Sequence, residues 1–436
     1  MHYPIPKEEL EERIERSYQR LLAPYYQIDE VYMPSDYEWY GDKEGRALLA
    51  FMSHYHISKK LNPCVEPLLA LYPEKANRFL FLGPEAGETI IEEQLSGHSW
   101  LLRGLCEYYE VFKKPEILKI IASTVEHLYL PLYDRIDSYP VDREPDKTGG
   151  VSGNSVSVIN HWKVSSDVGC AFMSLDGLSH AFLVLSGEKA CADLAKKTRA
   201  LLDRMIDKFD SIDKRAIKAQ THCSLTAARG MLRMLKATGD ASYFEKAQRI
   251  FDLYVNYGMT DTYQNMNWWG RPDSWTEPCA IVDSLMVALE LYKYSRLEAY
   301  RTLAARIYHN GFATAQRDNG GAGTESIVTE NQSILHSTYY EAPFCCSMRF
   351  AEGLRYTWEN ADLLYAEVTG TLRKDEKGRY FNGDLLYTEI LSPESCKEYE
   401  DASMALCADG KRLVPIPKYY RIPESISLST QLQILF

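Results

Sequence analysis

The amino-acid sequence predicts a mainly α-helical protein, an (α/α)6 toroid of helical hairpins with a small β-rich segment at its C-terminal end. Three observations lead to this prediction. Apolar residues recur at helical spacing between about residues 7 and 370. Successive helices follow one another across short polar turns, and the pattern changes to strand-like segments after Thr371.

Apolar stripes predict nine amphipathic helices. The first covers Lys7–Leu22, with Leu10, Ile14, Tyr18 and Leu21 on one face. The others are Trp100–Phe112, Ile117–Leu130, Leu175–Leu185, Ala190–Phe209, Leu225–Ala237, Tyr243–Tyr257, Ile281–Tyr294 and Leu297–His309.

Short turns join several of these helices into antiparallel pairs. Gly187 and Gly239 lie in two of the turns, where a left-handed glycine can end a helix. Pairs of about 50 residues fit a closed toroid or an open solenoid. Because the pairs are not similar enough in sequence for an interaction-repeat array, we favour the closed toroid, whose centre provides a concave site.

Four segments depart from the helical pattern. Residues 148–160 and 317–338 predict loops with short β-hairpins, since they are rich in turn-forming residues. Residues 379–387 and 425–436 predict strands. We therefore predict a helical catalytic domain at residues 1–370 and a short β-rich segment at residues 371–436.

Composition mainly excludes classes of function. The net charge of −12 argues against a nucleic-acid or anionic-membrane partner. The sequence contains no signal-peptide pattern and no apolar run of membrane-spanning length. Ten irregularly spaced cysteines do not form a disulfide framework. We expect a cytoplasmic protein with free thiols, and a homo-oligomer is compatible with the sequence.

The most specific chemical feature is a set of cysteines and one glutamate. Glu277 and Cys279 are two residues apart, so on extended backbone they would point the same way. The adjacent Cys345 and Cys346 would add two sulfurs if the backbone bends there. Four such ligands suit tetrahedral zinc. The alternative is three buried cysteines that act as small apolar side chains.

The motifs around these residues resemble those of glycoside hydrolase family 127, the β-L-arabinofuranosidases. Residues 275–284 resemble the Glu-x-Cys motif that opens a helix in the family, and a vicinal cysteine pair follows in the same order. The segments around His98 (Ser96–Leu101) and His222 (Thr221–Ser224) resemble two active-site histidine segments. The resemblance covers roughly residues 85–360.

The resemblance implies an unusual retaining mechanism. Cys345 would be the nucleophile, and Glu277, Cys279, Cys345 and Cys346 would hold zinc. A bound metal ion keeps a thiol deprotonated at neutral pH, and only the thiolate is a good nucleophile.

The general acid/base is harder to assign, because no glutamate occurs between Lys246 and Thr276. Asp261 is closest to the offset that the family implies, and Asp273 is the other candidate. Asp261 can equally be a turn or helix-cap residue. The residues after the cysteine pair, Ser347-Met348-Arg349, also depart from the family. Arg349 would either bind substrate hydroxyls or pair with a surface acid.

Histidine and tryptophan side chains supply the predicted carbohydrate-binding residues. His98 and His222 lie at expected helix starts, and both can hydrogen-bond sugar hydroxyls. Trp268 and Trp269 lie just before the Glu-x-Cys motif and could stack on a sugar ring. The alternative for this tryptophan pair is a hydrophobic plug beneath the loop.

Taken with the resemblance, the sequence predicts a retaining glycoside hydrolase with zinc and a carbohydrate substrate, releasing β-L-arabinofuranose or a similar sugar. Two alternatives stay open. One is a toroid-fold polysaccharide lyase or another glycosidase with a structural metal. The other is a non-catalytic carbohydrate-binding homologue. Phosphate-binding loops, dinucleotide fingerprints, serine elbows and His-Glu-x-x-His motifs are absent from the sequence.

Overall fold

The structure is a computed structural model of the 436-residue chain. It describes residues 1–33, 38–141, 143, 155–271, 274–326, 341–376, 378–389, 406–408 and 411–415. Helices dominate these residues. None of the described helices has both the length and the apolar character needed to cross a membrane.

The helices are numbered in chain order over the described residues. They are α1 (Lys7–Arg20), α2 (Ile28–Val31), α3 (Asp42–Ser58), α4 (Val65–Lys75), α5 (Glu92–Phe112), α6 (Pro115–Thr124), α7 (Ser174–Ser186), α8 (Ala192–Ser211), α9 (Thr221–Thr238), α10 (Ser242–Tyr257), α11 (Pro278–Ser295), α12 (Glu298–Arg306), α13 (Ala313–Ala315) and α14 (Met348–Glu359). Three π-helical turns, Val125–Tyr129, Ile307–Phe312 and Pro343–Ser347, extend or precede α-helices.

The strands are short. They are β1 (His2–Tyr3), β2 (Ile90–Ile91), β3 (Ser155–Ile159), β4 (Trp162–Ser165), β5 (Trp275–Thr276), β6 (Glu325–Ser326), β7 (Ala366–Glu367), β8 (Leu372–Lys374), β9 (Tyr380–Asn382), β10 (Leu385–Glu389), β11 (Leu406–Ala408) and β12 (Lys411–Pro415).

The chain forms two compact units. The first unit contains residues 1–20, 259–266 and 272–436, and the second contains residues 21–258 and 267–271. The described strands after residue 366 belong to the same unit as α11–α14. The predicted domain boundary at residue 370 stays a prediction.

In the second unit, α3, α5, α7 and α9 pack successively against one another, and glycines permit the close approach. A Cβ at Gly177 of α7 would lie 2.4 Å from the Ser99 carbonyl oxygen of α5. A Cβ at Gly230 of α9 would lie 2.5 Å from the Leu175 carbonyl oxygen of α7. Both positions therefore exclude any larger side chain.

In the first unit, α11 packs against α12 and α14, and α1 packs against α14. Phe312 stacks on Phe350 with ring centroids 4.2 Å apart. A Cβ at Gly353 of α14 would lie 2.5 Å from the Phe312 ring and 2.8 Å from Val282 of α11. These helices therefore form a tightly packed core without space for an added methyl group.

The C-terminal strands that the structure describes form an antiparallel sheet of five strands in the order β11-β12-β10-β9-β8. The β9–β10 turn has Gly383 at φ +62°, a conformation that favours glycine. Strands were predicted over residues 379–387, and that prediction is confirmed. The predicted strand at residues 425–436 lies outside the described residues.

The nine predicted helices all occur, and their bounds differ in two ways. Helix α5 begins at Glu92, eight residues before the predicted start. The prediction missed these residues because the first two turns of the helix are largely polar and show no apolar stripe, although they are buried. The ends predicted at Leu130 and His309 fall in or just beyond π-helical turns. Gly239 ends α9 at φ +74° as predicted, but the prediction for Gly187 is wrong, since its φ is −74°.

Two hairpin predictions are met in the described residues. Strands β3 and β4 form a hairpin whose turn residues, Asn160 and His161, both have positive φ. Residues 317–322 form a turn with Gly320 at φ +87°, and β6 follows and pairs with β5. The remainder of the two predicted loop segments, residues 148–154 and 327–338, lies outside the described part of the chain.

Candidate metal centre

Glu277 and Cys279 lie where a strand becomes a helix. Glu277 follows β5, keeps an extended backbone at φ −131° and ψ 114°, and caps α11. Its N–H donates to Asn265 Oδ1 at 2.7 Å, and its carbonyl accepts from Ala280 N at 2.9 Å. Pro278 begins the helix, a position where its missing N–H costs nothing.

Cys279 therefore lies in the first turn of α11. The expectation that both ligands share one extended stretch is wrong, because the helix begins between them. The positive end of the helix dipole favours a thiolate at this position. The side chains of Glu277 and Cys279 nevertheless converge.

Cys345 and Cys346 lie in the π-helical turn Pro343–Ser347, which leads directly into α14. A π-turn adds a residue to the helical repeat, and such turns are frequent at functional sites. The predicted backbone bend is this turn. It lets two adjacent cysteines approach the same point.

The four predicted ligands form one cluster. Cys279 Sγ lies 3.1 Å from Cys345 Sγ and 3.8 Å from Cys346 Sγ. Cys345 Sγ lies 3.5 Å from Glu277 Oε1. One ligand atom from each of the four residues falls within 4.8 Å of every other. Side chains 66 to 69 residues apart thus meet at one point.

The donor set fits a thiophilic divalent cation. At zinc–sulfur bonds of about 2.3 Å, tetrahedral geometry separates two sulfurs by about 3.8 Å. One sulfur pair has this separation, and the 3.1 Å pair needs only to open by a fraction of an ångström. Three sulfurs and one carboxylate complete a four-coordinate shell in which the protein supplies every ligand.

The electrostatics of the cluster also favour a cation. Burial raises the pKa of the Cys279 and Cys346 thiols well above the ordinary value, and neighbouring cysteines add to the effect at Cys279. Both side chains are almost fully buried, while Cys345 is partly exposed. A bound divalent ion would favour the ionised form of these thiols, and Cys345 is the residue of the cluster that is partly exposed.

A second group of polar residues anchors the cysteine turn. Ser347 Oγ donates to Glu341 Oε1 at 2.8 Å and accepts from Ala322 N at 2.9 Å. Glu341 is also bound by Arg20 of α1 and by Asn319. Burial would raise the pKa of Glu341, but the hydrogen bonds from Arg20, Ser347 and Asn319 hold it below its ordinary value.

Asp261 lies in a short hairpin in which Met259 pairs with Asn265. The same Asn265 binds the Glu277 N–H, so the hairpin is tied to a predicted metal ligand. Asp261 is 30% exposed, and its described ion pair is with Arg379 at 3.9 Å. Its role as general acid/base stays a prediction. Asp273, the other candidate, lies outside the described residues.

The sequence allowed two roles for Arg349, binding substrate hydroxyls or pairing with a surface acid, and the structure gives it a different environment. It is fully buried and forms ion pairs with Asp283 of α11 and Glu352 of α14. It therefore pairs with interior acids rather than a surface acid.

His98 is fully buried in the second unit, in α5. Its Nδ1 contacts the Gln94 carbonyl oxygen at 2.8 Å, and its Nε2 accepts from Leu82 N at 3.0 Å. The ring is therefore neutral with the proton on Nδ1, and burial lowers its pKa to about 4. These two hydrogen bonds to the backbone explain the buried position of His98 without any ligand. Binding of substrate by His98 stays a prediction.

His222 lies in the first turn of α9 in the second unit and is 1% exposed. Its ring stacks on Trp100 with centroids 5.7 Å apart. The Arg46 guanidinium also lies over the Trp100 ring, 4.2 Å from its centroid, and Arg46 pairs with Asp42. The predicted role of His222 in substrate binding stays a prediction.

Trp268 and Trp269 are both buried in the second unit. Trp268 Nε1 donates to the Ser166 carbonyl oxygen at 3.3 Å, and Trp269 Nε1 donates to Ser224 Oγ at 3.0 Å. Trp269 also packs edge-on against Tyr254. This packing matches the alternative of a hydrophobic plug, and stacking on a sugar stays a prediction.

The sequence analysis did not identify Asn265, Glu341 or Ser347. Ser347 directly follows Cys346 in the chain, which was a signal, because residues that orient metal ligands often flank them; Asn265 and Glu341 are farther from the predicted ligands. Their partners, however, lie up to 321 residues away in sequence.

Comparison with solved structures identifies the fold. A GH127 β-arabinofuranosidase superposes with a TM-score of 0.52 at 13% identity, over 90% of this chain and 68% of that one. The fold is shared. A second glycoside hydrolase gives 0.52 at 10% identity, over 82% of this chain and 59% of that chain. An unsaturated glucuronyl hydrolase specific for heparin superposes with a TM-score of 0.53 at 13% identity, over 82% of this chain and 100% of that one.

The predicted fold class, a mainly helical (α/α)6 toroid with a small β-rich C-terminal segment, is thereby confirmed. The chain spans only about three fifths to two thirds of the length of the first two of these proteins. No family model and no curated protein matches the sequence.

Proposed function

We propose that the protein is a retaining glycoside hydrolase that uses a cysteine nucleophile at a zinc site and releases β-L-arabinofuranose or a similar sugar. The observation that supports it is the convergence of Glu277, Cys279, Cys345 and Cys346 on one point. The GH127 β-arabinofuranosidase with the same fold supports the choice of sugar.

Glu277, Cys279 and Cys346 would hold the ion together with Cys345. When bound, zinc supplies the positive charge that keeps these thiols ionised at neutral pH. Cys345 is the nucleophile because it is the cysteine of the cluster that is partly exposed. The other two sulfurs are buried and serve as ligands only.

In the first step, the Cys345 Sγ lone pair attacks the anomeric carbon. A carbon–sulfur bond forms as the bond to the leaving oxygen breaks, and that oxygen takes a proton from the carboxyl group of Asp261. The products are a thioglycosyl intermediate on Cys345 and the released aglycone.

In the second step, the Asp261 carboxylate accepts a proton from water as the water oxygen attacks the anomeric carbon. The carbon–sulfur bond breaks, and its electron pair returns to Cys345 as thiolate. Two displacements at one carbon give net retention of configuration.

Mechanism-directed labelling tests this proposal. An arabinofuranose analogue that carries a bromoacetamide at the anomeric position should alkylate Cys345, with loss of bromide, and peptide mass spectrometry would locate the added mass. Free arabinose should slow the reaction, and Cys345→Ser should abolish it.

The chain provides its own control for unselective alkylation. Among the described cysteines, Cys191 is the other partly exposed thiol, and it lies outside the cluster. Iodoacetamide, which lacks the sugar, should modify Cys191 as well as Cys345. If the sugar reagent modifies both thiols equally and arabinose gives no protection, the nucleophile assignment is wrong.

Labelling of Cys345, together with an assay of arylglycoside hydrolysis, separates the alternatives. A lyase or another glycosidase with a structural metal would bind zinc without sugar-directed labelling of Cys345. A non-catalytic carbohydrate-binding homologue would bind the sugar but release no arylglycoside product.

A further inference from the structure

Arg349 lies between the two helices that carry the sulfur ligands. Its side chain is fully buried and pairs with Asp283, which is also fully buried, on α11. It pairs in addition with Glu352 on its own helix, α14. Arg349 therefore joins α11 to α14 through opposite charges in the protein interior.

Three contacts between these segments share one sequence separation. Cys279–Cys345, Asp283–Arg349 and Glu290–Tyr356 each join residues 66 positions apart. A constant separation means that the two helices run parallel and in register. Positions 279, 283 and 290 lie on one face of α11, because four and eleven residues are close to whole helical turns.

Of these three contacts, Asp283–Arg349 is an ion pair in which both side chains are fully buried, so it opposes axial displacement of one helix along the other. Apolar contacts such as Phe312–Phe350 tolerate small displacements, because dispersion attraction has little directionality. A buried guanidinium–carboxylate pair does not tolerate such displacements, because separating the two groups leaves unpaired charges in the protein interior.

The Asp283–Arg349 ion pair lies one helical turn from the sulfurs on both helices. Cys279 precedes Asp283 by four residues, and Cys345 precedes Arg349 by four residues. A shift of α14 by one residue would move Cys345 and Cys346 by about 1.5 Å relative to Cys279. Metal sites tolerate about 0.2 Å in ligand distance.

We propose that Arg349 is a positioning residue for the metal centre, holding Cys345 and Cys346 in register with Cys279 through its ion pair with Asp283. The inference rests on the metal-binding part of the proposed function and adds that a charge pair outside the ligand set controls metal affinity.

The test measures metal affinity and stability separately. Zinc affinity of the purified full chain is measured by competition with a chromophoric chelator, and cobalt(II) spectra report the number of sulfur ligands and their geometry. Urea unfolding of the metal-free protein gives stability. The variants are Arg349→Met, Arg349→Lys and Asp283→Asn.

Arg13→Met is the matched control. Arg13 is also a fully buried arginine of the first unit, and it joins α1 to the Ala313 carbonyl oxygen and Gln316. Its loss should lower stability as the loss of Arg349 does. It should leave zinc affinity and the cobalt spectrum unchanged, because it does not join α11 to α14.

We expect Arg349→Met to lower zinc affinity by about tenfold or more and to change the cobalt spectrum. Arg349→Lys should retain part of the affinity, since it keeps the charge but not the planar fork. If Arg349→Met does not fold, Asp283→Asn, which keeps an acceptor oxygen without the charge, decides the question.

Wild-type affinity and an unchanged cobalt spectrum in Arg349→Lys and Asp283→Asn, with only stability lowered, would overturn the inference. That result differs from failure of the proposed function. If wild-type protein binds neither zinc nor cobalt, the metal centre itself is refuted. If it binds both but is not labelled at Cys345, the catalytic proposal fails while the positioning role stands.

Discussion

The pH dependence of zinc binding is the sharpest prediction from the cluster. Each of three cysteines must lose a proton to become a ligand, and burial raises the pKa of two of them, Cys279 and Cys346. Zinc affinity should therefore rise with pH throughout the range below the ordinary thiol pKa of about 8.5.

The magnitude follows from the number of thiols. With three protons released, the association constant should rise about a thousandfold per pH unit, which corresponds to about 4 kcal/mol. Calorimetric titration between pH 6 and 7.5, in buffers with different protonation enthalpies, counts the protons directly. Cys346→Ser should reduce the count by one, and Cys191→Ser should leave it unchanged because Cys191 lies outside the cluster.

The metal-free protein should respond to pH in the opposite direction. Because folding raises the pKa of Cys279 and Cys346, their contribution to stability is complete below about pH 8.5 and is lost as the pH rises above it. Urea unfolding of the metal-free protein should show this loss, up to about 1.4 kcal/mol per thiol and pH unit.

In the calorimetric titration with zinc, release of one proton or fewer on binding would refute a three-thiolate site.

Three further predictions concern packing, acid stability and catalysis. Gly353→Ala should lower the free energy of unfolding by about 1–3 kcal/mol in urea titrations, because the added methyl group would meet the Phe312 ring at 2.5 Å. His98, with its pKa lowered to about 4, contributes stability that is present above about pH 6.5 and lost towards pH 4. The loss should be about 3 kcal/mol in wild type and smaller in His98→Gln when unfolding is followed against pH. Asp261→Asn should lower kcat/KM by about 10²–10⁴ for substrates with poor leaving groups, and an unchanged value would remove Asp261 from the mechanism.

The sequence predicted the helical class because most of its helices present one apolar face. Helices α3, α4 and α14 were not among the predicted segments. In α3, polar residues such as Asp42, Arg46 and His54 are buried together with apolar ones. A helix buried on nearly all sides shows no clear stripe, so periodicity cannot reveal it.

The cluster of Glu277, Cys279, Cys345 and Cys346 could be predicted because two short motifs contain all four residues, and the resemblance supported bringing the two motifs together. Local spacing pointed to Glu277 with Cys279 and to the adjacent Cys345 and Cys346, but it misjudged the backbone between Glu277 and Cys279. The environment of Arg349 could not be predicted, since its partner Asp283 is 66 residues away and reaches it only through the parallel register of α11 and α14. Long-range contacts of this kind leave no local pattern in a sequence.

The division of the chain into units has a consequence for biosynthesis. Residues 21–258 form nearly all of one unit and emerge from the ribosome in one stretch, whereas the other unit joins residues 1–20 to residues that follow position 258. Arg20 can bind Glu341 only after residue 341 has been synthesised, and β1 can pair with β7 only after residue 367 has been synthesised. During translation the first helix therefore stays without its final contacts while the larger unit folds, and the cluster of Glu277, Cys279, Cys345 and Cys346 can form only after Cys346 has been made.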